Sequence, residues 1–212
     1  MNQRAYFITG TDTDIGKTYV TKILLSQFNQ AGLSTIGLKP IASGAIKSDH
    51  GLINNDAVIL QQSASIKLPL NEINPFVFEK PIAPHLAAAM NNITLRSETI
   101  VNAIHKTMRQ HEADRYLIEG AGGLMVPIND HETMADVIRL LDIPVILVIG
   151  IRLGCINHGL LTSLAMTHHA LNYAGWIANC IDPMCEQQDN IIQTLENYLS
   201  VPCLQKIPFM QK

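Results

Sequence analysis

The stretch Gly10-Thr11-Asp12-Thr13-Asp14-Ile15-Gly16-Lys17-Thr18 puts a lysine and a hydroxyl directly behind a glycine-bounded loop. A run of β-branched and aromatic residues, 5–9, precedes it. Apolar residues at Val20, Ile23, Leu24 and Phe28 follow it with helical spacing. Strand, glycine loop and helix together make the context of a phosphate-binding loop. Loop and helix N-terminal N–H groups point into one concavity, and the helix dipole adds positive potential there. In such a loop Lys17 reaches the outer phosphates of a nucleotide and the Thr18 hydroxyl holds Mg²⁺. Five residues lie between Gly10 and Gly16, one more than the common pattern, so Thr11 takes the first-glycine position.

Other groups able to do chemistry sit where strands should end. Lys39 closes a predicted strand and leads into Pro40-Ile41-Ala42-Ser43-Gly44. A cation at a strand tip beside a phosphate loop is placed to neutralise a transferring phosphate. Glu119 ends another predicted strand and enters the turn Gly120-Ala121-Gly122-Gly123. It is a candidate Mg²⁺ ligand beside Thr18, since Mg²⁺ takes one or two carboxylates plus phosphates. Asp56 could supply a second carboxylate, or simply cap a helix. The segment 150–157, Gly-Ile-Arg-Leu-Gly-Cys-Ile-Asn, offers N–H groups for a second anion, or an ordinary glycine-eased turn. Zinc-protease spacing fails, because Arg115 and Ala135 stand where second histidines would follow His111-Glu112 and His131-Glu132. His168-His169 lies late in a predicted helix, where neighbours diverge, and reads as surface.

The elements that must carry these groups alternate along the chain. Residues 34–39 read as a strand stopped by Pro40, 54–62 as a short helix, and 69–85 as a proline-rich loop or crossover. Ile100, Val101, Ile104 and Met108 mark a helix, and 116–119 a strand. Thr133 and Asp136 fit a capping box that opens a helix reaching Leu141. A buried parallel strand at 145–149 precedes a long helix from about 156 to 173. A strand at 176–179, a helix at 191–199 and an edge strand at 203–205 complete the pattern. Repeated β–α units with apolar strands imply an α/β fold, a mostly parallel sheet covered on both faces. Ligands bind such sheets at the carboxyl ends of the strands.

Composition sets the outer bounds. A chain of 212 residues, 47% hydrophobic and 16% charged, reads as one globular domain over 1–212. A net charge of −3 and few aromatics give no reason to expect nucleic acid or an anionic membrane as partner. The longest apolar run, 143–151, is too short to span a bilayer, and no signal peptide precedes the first strand. Cys155, Cys180, Cys185 and Cys203 are widely spaced, which fits reduced thiols and a cytoplasmic location.

Taken together, these segments resemble the dethiobiotin synthetases, ATP-dependent carboxylases of biotin biosynthesis with a P-loop NTPase-like, Rossmann-type three-layer fold. The resemblance rests on the loop at 10–18, Lys-Pro-Ile-Ala-Ser-Gly at 39–44, Asn-Pro-Phe at 74–76 and Pro-His at 84–85. It continues through Glu-Gly-Ala-Gly-Gly at 119–123, 144–150, Leu-Gly-Cys-Ile-Asn-His at 153–158 and Gly-Trp-Ile-Ala-Asn at 175–179. The family also has five residues inside its phosphate loop. The resemblance implies closure of a ureido ring on diaminononanoate, with CO₂ and MgATP, through a carbamate and a carbamic–phosphoric anhydride.

It also implies roles. Thr13, Lys17 and Lys39 would surround the carbamate and γ-phosphate, and Thr18, Asp56 and Glu119 would hold Mg²⁺. Asp14, Ile15, Gly16, Tyr19, Gly120, Ala121 and Gly122 would complete the nucleotide cradle. Asn179, with Cys180 and Pro208-Phe209-Met210, would meet the adenine. Ser43 would touch the substrate, whose carboxylate would meet Gly150, Ile151, Leu153, Gly154 and Asn157 across a homodimer interface. Departures are Asp14 where glutamate is common, Cys180 where aspartate is frequent, and a short C-terminus. Two other readings compete. A partition-type switch ATPase would carry a lysine where Asp12 stands. An amide-forming ligase on the same scaffold would need a glutaminase portion.

Overall fold

The computed structural model describes residues 1, 3–49 and 51–209. The chain opens with β1 (Ala5–Gly10), α1 (Lys17–Gln30) and β2 (Thr35–Leu38). An excursion follows: β3 (Ile41–Ala42), β4 (Ile46–Ser48), β5 (Gly51–Ile53), α2 (Asn55–Ser63), α3 (Leu70–Ile73), β6 (Phe76–Val77) and α4 (Pro84–Ala89). Regular alternation then resumes with α5 (Ser97–Gln110), β7 (Arg115–Glu119), α6 (Met134–Leu141) and β8 (Val145–Ile151). It ends with α7 (Cys155–His168), β9 (Tyr173–Cys180), α8 (Gln188–Tyr198) and β10 (Cys203–Ile207).

Among the described residues the main sheet has six strands in the order β10-β9-β8-β1-β7-β2, every neighbouring pair parallel. β1 and β8 are buried along their whole length, which explains their unbroken apolar sequence. Alternation survives in where their side chains go. Phe7, Val145, Leu147 and Ile149 join a cluster with Ile104 of α5, Ile138 of α6 and Leu195 of α8. Tyr6, Ile8, Ile146 and Val148 join a second cluster with Val20, Leu24 and Leu25 of α1 and Leu60 of α2. One sheet thus carries two cores, one per face. Each fully buried leucine or isoleucine contributes about 1.5–3 kcal/mol.

The order of strands fixes where a ligand can bind. From β1 the chain first crosses to the edge strand β2 and returns to β7, then moves out on the other side through β8, β9 and β10. The reversal flanks β1, so the crevice lies above its carboxyl end. The loop 11–16, Lys39, Glu119 and residues 152–154 all leave strands at that end.

Three expectations shift. The helix predicted to reach residue 173 stops at His168. Ala170 adopts the left-handed region (φ 51°) and the Leu171 N–H donates to the Met166 carbonyl at 3.0 Å. That is a Schellman-type closure, made without the glycine that would signal it. The turn at 150–157 is shorter than its sequence suggests, since Gly150 and Ile151 are still strand, paired with Asn179 and Cys180. The stretch 69–85 is not wholly irregular: it holds α3, β6 and the start of α4, with Phe76 and Val77 pairing Ile41 and Ala42. Among the described residues no helix is long and apolar enough to cross a membrane.

Candidate functional site

The phosphate loop is built by its neighbours. Gly16, the N-cap of α1, sits at φ 83°. A Cβ there would run into the side-chain amide of Asn179 and would also be strained, so only glycine fits. Asp14 is left-handed as well, at φ 57°. Ile15 is buried beneath the loop while Thr13 and Asp14 face solvent. The Asn179 amide nitrogen donates to the Ile15 carbonyl at 2.8 Å, tying the loop to the end of β9. Among the described residues no side chain caps α1, and its first turn carries no acid. The helix therefore presents unspent N–H groups and an uncompensated positive end to the crevice.

Charge converges beside that loop. Glu119 is the last residue of β7, fully buried, and is held next to β1 by register with Ile8. Its Oε1 accepts from the Thr18 hydroxyl at 2.7 Å and from Lys39 Nζ at 2.6 Å. Lys39, just past β2 and 4% exposed, also donates to the Gly120 carbonyl at 3.0 Å and lies 3.4 Å from Asp56 Oδ2. Burial by itself would push the Lys39 ammonium down, but the carboxylates of Glu119 and Asp56 outweigh it and hold its pKa above the ordinary lysine value. Lys17 is treated differently. Its Nζ donates to the Asp12 carbonyl at 2.7 Å. Burial, then repulsion from Lys39, lowers its pKa to about 8. A lysine so poorly compensated gains most from an arriving polyanion.

The Thr18 hydroxyl bonds Glu119, and Asp56 approaches the same Lys39 ammonium as Glu119, so the three present hard oxygens of the kind Mg²⁺ takes. Glu119 Oε2 is buried and, among the described residues, finds no hydrogen-bond partner. A buried carboxylate oxygen without a donor is costly unless something else comes to it, and a divalent cation fits that need. Ser43 lies at the edge of the same region, its Oγ likewise buried without a partner. Gly122 turns at φ 62° and, with Gly120 and Ala121, leads the chain away from Glu119.

The remaining expected residues form two flanks. α7 begins at a left-handed Gly154 (φ 89°), with no acid in its first turn and, among the described residues, no side-chain cap. Leu153, Gly154 and Asn157 are exposed there. Gly150 and Ile151 lie inside β8, buried and paired, because β9 is long enough to continue the ladder past them. On the other flank Asn179 and Cys180 end β9, and Pro208 and Phe209 follow β10 next to it. Tyr19 is partly buried in the first turn of α1. Met210 falls outside the described residues.

Three residues of the site had no role in the sequence reading. Arg152 reaches the loop, its guanidinium 3.1 Å from Asp12 Oδ2. Asn54 caps α2 by accepting from the Asp56 and Ala57 N–H groups, and its amide nitrogen donates to the Ser43 carbonyl at 3.3 Å. Asn74 donates to the Lys39 carbonyl at 2.7 Å. An Asn before a helix and an Asn-Pro pair were visible signals, but what their amides grip is long-range. Besides the phosphate loop, the structure has an open groove of about 490 Å³ walled by Leu52, Ile53, Asn54, Leu70, Asn74 and Val77.

A family model described as an AAA domain matches residues 4–212. An ATP-dependent dethiobiotin synthetase BioD from Cellvibrio japonicus is 43% identical over 98% of this chain and 90% of its own length. The protein of the same name from Pseudomonas paraeruginosa is 44% identical over 96% of this chain and 89% of its own. Among solved structures, a ParA family ATPase from Chlorobium tepidum aligns with a TM-score of 0.59 at 15% identity, covering 98% of this chain and 84% of that one. At that identity the likeness speaks for the fold alone. Near-complete coverage by sequence relatives above 40% identity speaks for more, and this chain belongs to the dethiobiotin synthetase family.

Proposed function

We propose that the protein closes the ureido ring of dethiobiotin from 7,8-diaminononanoate, CO₂ and ATP, as an ATP-dependent cyclo-ligase. The observation that carries this reading is the second buried lysine. Lys39 stands beside the phosphate loop with Glu119 and Asp56, where a plain nucleotide switch has no evident use for it. One amine of the substrate captures CO₂ as a carbamate and releases a proton. A carbamate oxygen attacks the γ-phosphorus and ADP leaves. The second amine then attacks the carbamoyl carbon, and phosphate departs as the ring closes.

Thr13, Lys17 and Lys39 hold the carbamate and the γ-phosphoryl group, where negative charge concentrates in the transition state. Thr18, Asp56 and Glu119 would hold Mg²⁺, which would supply charge neutralisation at the phosphate oxygens. Ser43, whose buried hydroxyl finds no partner among the described residues, contacts the diamine. Asn179 meets the adenine edge with its carbonyl and with the second of its two amide N–H donors, the first being held by Ile15. Cys180, Pro208 and Phe209 line that pocket. The uncapped start of α7, with Leu153, Gly154 and Asn157, takes the substrate carboxylate from across a homodimer interface. The free thiols of Cys155, Cys180, Cys185 and Cys203 suit a reducing cytoplasm.

Incubation with diaminononanoate, bicarbonate and MgATP should yield dethiobiotin by mass spectrometry. ATP hydrolysis should be slow alone and rise only when diamine and bicarbonate are both present. Hydrolysis equally fast without the diamine would replace this reading with a nucleotide switch.

A further inference from the structure

Lys39 stands one residue beyond β2, which among the described residues is an edge strand on β7 whose ladder ends at Leu38 and Ile118. The sheet therefore does not hold Lys39. Its backbone is gripped from the other side. The Lys39 N–H donates to the Ile73 carbonyl at 2.9 Å, and the Lys39 carbonyl accepts from Asn74 Nδ2 at 2.7 Å. The next residue, Pro40, has no N–H, and its carbonyl accepts from Phe76 at 3.0 Å. Asn74 is 5% exposed and is itself fixed, because its own N–H closes α3 on the Leu70 carbonyl at 2.7 Å. It also forms part of the wall of the groove of about 490 Å³. Ile41 and Ile73 pack the turn into the core, and these hydrogen bonds set the position of its backbone within that packing.

We infer that Asn74 is a positioning residue for the reaction: its carboxamide braces the Lys39 carbonyl so that the ammonium stays on the Glu119–Asp56 side of the phosphate loop. The inference rests on the reading of Lys39 given above. A neutral amide suits the task. It donates to one carbonyl without adding charge beside a lysine that already balances two carboxylates. Asn74 touches no reacting atom, so losing it should misplace Lys39 and leave nucleotide binding in place.

The test is a double-mutant cycle read by single-turnover dethiobiotin formation. Asn74→Ala should lower the rate by about 10²-fold, the cost of a displacement near 1 Å. The KM for ATP should stay within about three-fold, which a general loosening of the fold would not allow. Asn74→Leu is close in volume, uncharged and has no donor, so it completes the cycle if the alanine variant unfolds. Asn71→Ala, an exposed amide on the same groove, should leave the rate unchanged. In a Lys39→Ala background, Asn74→Ala should cost no more than about two-fold further, because its effect passes through that lysine. A second full loss there, or an undiminished rate in the single Asn74 variants, would overturn the inference. Undiminished turnover in Lys39→Ala alone would instead remove the reading on which it rests, so the two failures are distinguishable.

Discussion

Two lysines of the site do different electrostatic work. Lys39 is ion-paired with Glu119 and Asp56 before any substrate arrives, whereas the Lys17 ammonium, among the described residues, hydrogen-bonds a backbone carbonyl and forms no such ion pair. Phosphates entering the loop therefore relieve Lys17 more than Lys39. Replacing Lys17 with Ala should weaken ATP binding and also cost about 10²–10³ in turnover, the size of one lost charge-stabilising donor. Equilibrium titration with a fluorescent ATP analogue, beside single-turnover rates, separates the two effects. A Lys17→Ala enzyme that keeps both would show that the loop binds phosphate by backbone alone.

At the scale of elements, the turn before α6 has a pH signature. Asp136 accepts from the Thr133 N–H at 2.8 Å and so closes the capping box that starts this helix. Burial of the Asp136 carboxyl acts to raise its pKa, but the hydrogen bonds from Thr133 outweigh that and lower it. A carboxyl lowered in the folded state stabilises above its unfolded pKa of about 3.9, and the stabilisation is lost as pH falls through the folded value. Asp136→Ala should therefore cost about 1 kcal/mol at pH 7. The gap to the wild type should shrink as the pH is taken below about 4. Urea denaturation at both pH values measures it. A gap that persists in acid would mean that Asp136 acts through packing and not through its charge.

For the whole molecule, the telling feature is a group of exposed leucines along one helix. Leu153, Leu161 and Leu164, on and just before α7, are 88%, 57% and 67% exposed. α7 turns Leu161 and Leu164 outward between the exposed Asn157 and Thr167, while its other face packs through Cys155 and Met166. A surface helix of a monomer would be polar there. The proposed homodimer covers it with a second copy and brings the start of α7 to the partner's substrate. Light scattering should give a dimer mass. A double Leu161→Glu and Leu164→Glu variant should run as a monomer and raise the KM for the diamine more than that for ATP. A wild-type monomer mass that persists with substrate bound would count against the dimer.

What the sequence determined by itself is what short-range physics writes into it. The loop at 10–18 was legible because strand, glycines, lysine and helix lie within one β–α unit, where local conformation decides function. The parallel sheet was legible because strands buried on both faces must be apolar throughout, as β1 and β8 are. The capping box at Thr133 was legible because both partners lie within a turn. Tertiary structure decided the rest. Glu119 meets Thr18 across 101 intervening steps of chain only because β7 pairs with β1 in one register. Strand order, which no local pattern encodes, set Lys39 just beyond an edge strand, where its backbone bonds Ile73 and Asn74. The end of α7 escaped notice because a left-handed alanine at Ala170, tolerated for the contacts it permits, closes it where a glycine would have announced the turn.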